Sequence, residues 1–309
     1  MSNSSPVRLL PKNTSGKDYV VGDLHGCFEL LERLLKQVEF NSATDRLFSV
    51  GDLIDRGPDS LRCLQLLEQP WFYAVQGNHE NMLLNFFVDY LLNGKLEGFT
   101  KSDLNELATF GAEWIKHYYQ ADHQRMTPEF DYCLHLLSDL PLIWIVGDDR
   151  ERFHVIHAEL LRPQYKGYGQ PVWLDSDIDR WLAEEMIPAD SRDRLSWGRM
   201  LMDSNTFKHK PNQEGLSMTF CGHTYETHLR QVLSHLCLDT GAFITHPFHS
   251  DDEYEEDEDE DEEYGLTLFN VKEANWVRAS YNNPDVILSG IWPDCRQLLN
   301  IIPLTKLSM

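Results

Sequence analysis

Asp23, His25, Asp52 and Asn78 each stand in or beside a glycine-bounded string that follows a short apolar stretch. The strings are Gly-Asp-Leu-His-Gly at 22–26, Gly-Asp-Leu-Ile-Asp-Arg-Gly at 51–57 and Gly-Asn-His-Glu at 77–80. Together they offer carboxylate, imidazole and amide donors of the kind that hold Mn, Fe or Zn. The interval is 29 residues from Asp23 to Asp52 and 26 from Asp52 to Asn78. A single Gly-Asp string is commonly a plain turn. Three in this order predict a metal site carried on strand-end loops of a rigid sheet.

A two-metal site needs further donors, and histidines just past strands can supply them. His157 ends the run Phe-His-Val-Ile-His at 153–157, and His223 lies in Thr-Phe-Cys-Gly-His-Thr at 219–224. Two ions roughly 4 Å apart share a ligand, and a carboxylate with two oxygens suits that place. Asp52 is the expected bridge. Asp23 and His25 would complete one ion, and Asn78, His157 and His223 the other. With only two carboxylates in the set, the charge balance stays positive and can receive a phosphate dianion. His154 alternates with Val155 and is expected to face away from His157. His117, His123, His135, His228, His235, His246 and His249 have no ligand context.

The elements that must position these groups follow from apolar spacing. Asp18–Gly22, Arg46–Val50 and Phe72–Val75 read as strands. Phe28–Val38 carries a helical stripe, Leu61–Leu67 reads as a second helix, and a third begins near His79. Strands alternating with helices predict an α/β fold with parallel βαβ pairing and a ligand edge where strand hands over to helix. Residues from about 81 to 140 read as a helical insertion over the core. Strands are expected at Leu142–Val146, Phe153–Ile156, Met218–Cys221, Val232–Leu238, Leu266–Val271 and Asn275–Ala279, with a helix at Trp173–Glu185. The scarcity of helices late in the chain suggests a more antiparallel second half.

The polar residues 1–17 are expected to be a flexible lead-in to a single catalytic domain at 18–309, interrupted by an acidic, disordered loop at 249–264. Residues 251–263 hold twelve acids and one tyrosine, about half of the net charge of −23. That balance argues against nucleic acid or an anionic membrane as a partner, while the loop could attract basic partners. The chain shows no signal-peptide pattern and no apolar run of membrane-spanning length. Its six cysteines are scattered without a Cys-x-x-Cys pair. Free thiols in a reducing compartment, hence a cytoplasmic location, are the expectation.

The three strings, with His157, Gly222–Thr224 and Leu238–Ala242, resemble the phosphoprotein phosphatase branch of the metallophosphoesterases, and within it the small bacterial and phage serine/threonine phosphatases. The resemblance implies a sandwich of two mixed sheets flanked by helices, with a dinuclear site along one edge and the ligand set given above. It further implies that His79 protonates the leaving group, that Asp55 is its carboxylate partner, and that Arg56 grips phosphoryl oxygens. A second such arginine is best matched by Arg199, with Arg192 and Arg194 nearby. Asp239-Thr-Gly-Ala-Phe is separated from Gly265-Leu-Thr-Leu by a longer segment than in bacterial relatives, which puts local substrate preference in question.

The expected chemistry is phosphomonoester hydrolysis by a hydroxide bridging two divalent ions, with manganese first among Mn, Fe, Zn and Ni. Phosphorylated proteins are the expected partners, and activity on phosphotyrosine is left open. One alternative is a diadenosine tetraphosphate hydrolase, against which Asp55-Arg56 and Glu80 speak. The other is an inactive binding protein of the same fold, which would be expected to have lost a ligand or the acid histidine.

Overall fold

The computed structural model describes residues 5–96, 100–148, 151–204, 206–207, 209–247 and 263–292. The acidic loop lies almost wholly outside them. The chain opens with β1 (Val7–Leu10), β2 (Asp18–Val21), α1 (Phe28–Gln37), β3 (Arg46–Ser49), α2 (Ser60–Gln65) and β4 (Phe72–Ala74). An excursion follows: α3 (Asn78–Phe86), α4 (Val88–Asn93), α5 (Lys101–Ala108), the short strands β5 (Tyr119–Gln120) and β6 (Arg125–Met126), and α6 (Pro128–Ser138). Next come β7 (Ile143–Val146), β8 (Phe153–Val155), α7 (Asp175–Glu184), α8 (Ala189–Trp197), α9 (Met200–Asp203) and β9 (Met218–Cys221). The described chain closes with β10 (Arg230–Val232), β11 (His235–Cys237), β12 (Leu266–Asn270), β13 (Asn275–Ala279) and β14 (Ile287–Ile291).

Two mixed six-stranded sheets result, ordered β1-β7-β8-β9-β11-β10 and β14-β13-β12-β2-β3-β4. They pack face to face through a shared apolar layer that includes Val20, Phe48, Val155 and Phe220. Phe48 meets Phe153 edge-on at 5.6 Å and Phe220 meets Phe269 at 5.3 Å, each pair crossing from one sheet to the other. The outer face of the second sheet is covered by α1 and the helical excursion, and that of the first by α7 and α8. In α1, Leu30, Leu31 and Leu34 are buried, the i, i+1, i+4 stripe that a helix lays on a sheet.

Because β2, β3 and β4 run parallel, their carboxyl ends open onto one edge. Strands β8 and β9, parallel in the other sheet, end beside it. Five strand ends thus deliver all three strings, His157 and His223 to one place.

Three expectations change. The lead-in is not all loose: β1 pairs in parallel with β7 in full register, and Val7 is fully buried. Its apolar residues cover an edge of β7 that would otherwise show unpaired backbone groups. The strand expected over 232–238 is a hairpin, β10 and β11, turning at Leu233 and Ser234 with φ of 46° and 67°. Two left-handed central residues make the turn that matches strand twist, here without the usual Asn or Gly. The late part of the chain is also only partly antiparallel: β12, β13 and β14 are, but β9 pairs in parallel with both β8 and β11. No helix among the described residues is long and apolar enough to cross a membrane, and Cys27, Cys63, Cys133, Cys221 and Cys237 are buried free thiols.

Candidate metal centre

The site is built from strand-end backbone before any side chain is considered. The amides of Leu24 and His25 both donate to the Asp52 carbonyl (3.0 and 2.8 Å), locking the first string to the second. The Glu80 carboxylate ties the third string to the second. It accepts the amides of Asp52 (2.9 Å), Gly77 (2.7 Å) and Leu53 (2.7 Å). Burial and the charge of Asp52 push its carboxyl up to about 8, against the pull of those amides. Glycine is required where strings close on donors: a Cβ at Gly222 would lie 1.8 Å from Asp23 Oδ1, and one at Gly77 would lie 2.2 Å from Asp52 Oδ1. His25, Asp52, Asp55, Arg56 and His223 all have left-handed backbone, with φ between 41° and 72°. Such residues each store about 1–2 kcal/mol of strain, so the surrounding hydrogen bonds must hold them.

Two groups of donors emerge: Asp52 with His157 and His223, and Asp52 with His25 and His79, each with ligand atoms mutually within 4.8 Å. Asp52 is common to both, while His79 stands in the second group where Asp23 is expected. His157 Nε2 stands 2.9 Å from Asn78 Oδ1, 3.1 Å from His223 Nδ1 and 3.5 Å from Asp52 Oδ2. His25 Nε2 stands 3.6 Å from Asp52 Oδ2. Ligands about 2.1 Å from one ion and at right angles lie ~3 Å apart, so these separations suit a shared cation.

The donor set fits as well. His157 Nδ1 donates to the Val50 carbonyl and His25 Nδ1 to that of Ile54, both at 2.9 Å, which leaves each Nε2 as a lone pair. Burial lowers His157 and, together with Arg56, takes His25 well below the ordinary imidazole value. Burial, then His157 and Arg199, bring His223 down to about 3. These shifts all favour the neutral imidazole, the form that binds a metal. Burial alone would raise the Asp52 carboxyl, but the surrounding His157, His79 and His25 hold it below its ordinary value.

Asp23 is placed differently from the other ligands. Its oxygens accept the His223 amide at 3.0 and 3.2 Å, and it belongs to neither compact group. Burial, then Asp239 and Asp52, raise it well above the usual carboxylate range. Buried carboxylates that repel one another are a setting in which a cation binds well, and each oxygen keeps a lone pair for it.

The other expected residues line the same edge. His79 Nδ1 is 2.8 Å from Asp55 Oδ2, and its ring meets that of His25 edge-on at 4.7 Å. Burial would lower His79, but Asp52 and the hydrogen bond and charge of Asp55 raise it overall. The Arg56 guanidinium donates to His25 Nε2 at 3.1 Å and lies 4.6 Å from the Phe243 ring centre. Arg199 is exposed, and its charge acts on His157 and His223. Arg194 is committed elsewhere, to the buried Glu159 at 3.1 Å, and Arg192 donates to the Ile187 carbonyl. Among the three arginines, Arg199 is the one whose charge bears on both His157 and His223.

His154 faces Arg152 and Thr219, away from His157, as alternation predicts. His235 is structural, accepting the Leu160 amide. Two neighbours of the site escaped the sequence reading. Glu159 accepts the Leu201 amide at 2.8 Å and underlies Gly198, bracing the turn that carries Arg199. Trp114 donates to Asp55 across 59 positions, and no local pattern marks it.

The chain belongs to the calcineurin-like phosphoesterase family, whose model matches residues 19–226, a span that holds all six expected ligands. It is accordingly a phosphoester hydrolase of a family that works with divalent metals. Among curated proteins it is similar to serine/threonine-protein phosphatase 2 of Escherichia coli, 32% identical over 192 residues, covering 60% of this chain and 80% of that protein. It resembles serine/threonine-protein phosphatase 1 of Salmonella typhimurium at 58% identity over 67 residues, 22% of this chain and 31% of that one. It is also similar to a symmetrical bis(5'-nucleosyl)-tetraphosphatase of Dechloromonas aromatica, 33% identical over 191 residues, 59% of this chain and 61% of that one.

Proposed function

We propose that this hydrolase is a serine/threonine phosphoprotein phosphatase working with two divalent ions, manganese foremost, with Fe, Zn or Ni as substitutes. Asp23, His25 and Asp52 would hold one ion, and Asp52, Asn78, His157 and His223 the other. Bound there, the ions would supply an activated water and Lewis-acid neutralisation of the phosphoryl group. The protein's own residues do the rest. Arg56 and Arg199 clamp phosphoryl oxygens with fork-shaped hydrogen bonds. His79, held at Nδ1 by Asp55, gives a proton from Nε2 to the departing serine or threonine oxygen.

The observation that carries this reading is the 2.8 Å Asp55–His79 pair set beside Arg56 and the Asp52 donors. An alkoxide is a poor leaving group and needs a proton donor, whereas a nucleotide phosphate departs as a stable anion without one. The likeness to a tetraphosphatase supports the second reading, dinucleoside polyphosphate hydrolysis. A panel of phosphoserine, phosphothreonine and phosphotyrosine peptides and diadenosine tetraphosphate, each with Mn, Ni, Zn and Mg, separates the two. Preference for the phosphoserine or phosphothreonine peptide is the expected outcome; preference for the dinucleotide would replace it. Basic segments of substrate proteins are the proposed targets of the acidic run, and a cytoplasmic location is proposed from the unpaired cysteines.

A further inference from the structure

Past α3, whose first residues carry the third string, the helical excursion between β4 and β7 supplies no expected ligand, yet it touches the site at two nearby residues. The Gly111 carbonyl accepts the Arg56 amide at 2.9 Å. Three residues on, Trp114 Nε1 donates to Asp55 Oδ1 at 2.8 Å. Asp55 Oδ2 is the oxygen that meets His79 Nδ1. Both carboxylate oxygens are thus engaged, one by the proton-handling imidazole and the other by an indole N–H.

The indole is itself fixed from behind. Trp114 sits on a single 3-10 segment, Glu113–Tyr118, and its ring packs on Phe130 at 5.5 Å and Tyr118 at 5.9 Å. Phe130 is fully buried on α6 and meets Phe87 at 5.8 Å. A ring held by an aromatic cluster delivers its N–H at a set angle. Among the described residues, His79 and Trp114 are the partners of the Asp55 carboxylate, and the Ser60 hydroxyl serves its amide instead. With Oδ1 unheld, the carboxylate can turn about its terminal torsion, which is soft, and the imidazole turns with it.

We propose that Trp114 is a positioning residue for proton donation, completing a Trp114–Asp55–His79 chain in which the indole N–H sets the Asp55 carboxylate and thereby aims His79 Nε2 at the leaving oxygen. The inference rests on the reading of His79 as the acid. It assigns the part of the excursion past α3 a share in catalysis that its lack of ligands conceals. Trp114 does not touch substrate; it acts through Asp55.

Trp114→Phe keeps a ring in the cluster and deletes the N–H. Turnover on a phosphoserine peptide should fall about tenfold, part of the ~10²–10⁴-fold that a positioned acid supplies. Turnover on p-nitrophenyl phosphate, whose leaving group departs as an anion, should change less than about twofold, with metal content and Tm held. In a His79→Asn background the same substitution should cost nothing further, since interaction between the two changes is what a shared unit predicts. Equal losses on both substrates, an undiminished loss in the His79→Asn background, or no loss at all would overturn the role of Trp114. If His79→Asn alone leaves phosphoserine turnover unchanged, the acid reading itself fails and Trp114 goes with it.

Discussion

The two arginine flanks of the site are built in opposite ways. Arg56 stands on a left-handed pair, Asp55 and Arg56, held by the Gly111 carbonyl and the Ser60 hydroxyl, with its guanidinium by the Phe243 ring and on His25. Arg199 stands on an exposed turn whose support comes from beneath, through Glu159 to Leu201. One flank is preset; the other is free to adapt. A preset donor spends no reorganisation when charge develops, whereas an exposed one loses side-chain entropy on engaging. If the two arginines act as proposed, Arg56 would serve the reacting phosphoryl group and Arg199 would tolerate variety around it.

The largest effect should come from removing what both flanks share. Asp52→Asn takes away the carboxylate common to both donor groups, and activity should fall by more than about 10²-fold. Elemental analysis of the purified variant should show depleted metal; full occupancy would contradict the bridge. The comparison of flanks is tested next. Arg56→Ala should cost about 10²-fold in kcat and Arg199→Ala about tenfold, mostly in KM, because a fixed transition-state contact and an adaptable one differ in this way. Equal kcat losses would erase the distinction.

Asp55→Asn probes the braced flank through pH. His79 is raised in part by the Asp55 hydrogen bond and charge, so its protonated form persists to higher pH and acid-dependent turnover declines as pH rises through that value. Replacing Asp55 removes a raising cause, and the alkaline decline on a phosphopeptide should start at lower pH. A profile that stays put would remove Asp55 from the proton path. The smallest effect belongs to Glu159→Gln, which keeps the shape under Gly198 but weakens the hold on Arg194. A rise in KM of about threefold with kcat retained is expected from steady-state kinetics.

Much of this site can be read from residue order because its parts are local. Each of the three strings contains its own glycine turn, ligand and following helix, so spacing alone exposes them. His157 and His223 are weaker signals, single histidines past strands, and become persuasive only beside the strings. Trp114 and Glu159 are different in kind. Each acts on a group brought to it by packing, and a tryptophan among other aromatic residues carries no mark of the one carboxylate it meets. The Leu233–Ser234 turn evaded reading for a related reason: tertiary context holds left-handed backbone there that residue type does not advertise. The same holds for β1, whose short apolar run makes sense only against the open side of β7.

That first strand has a practical consequence. Shortening the chain to start at residue 18, where the strings begin to be legible, would uncover Ile143, Trp144, Ile145 and Val146 along a full register of backbone donors and acceptors. An uncharged, β-prone edge of that kind recruits other chains. Such a trimmed protein would keep every ligand and still be expected to aggregate, so solubility, more than catalysis, sets where this molecule can be cut.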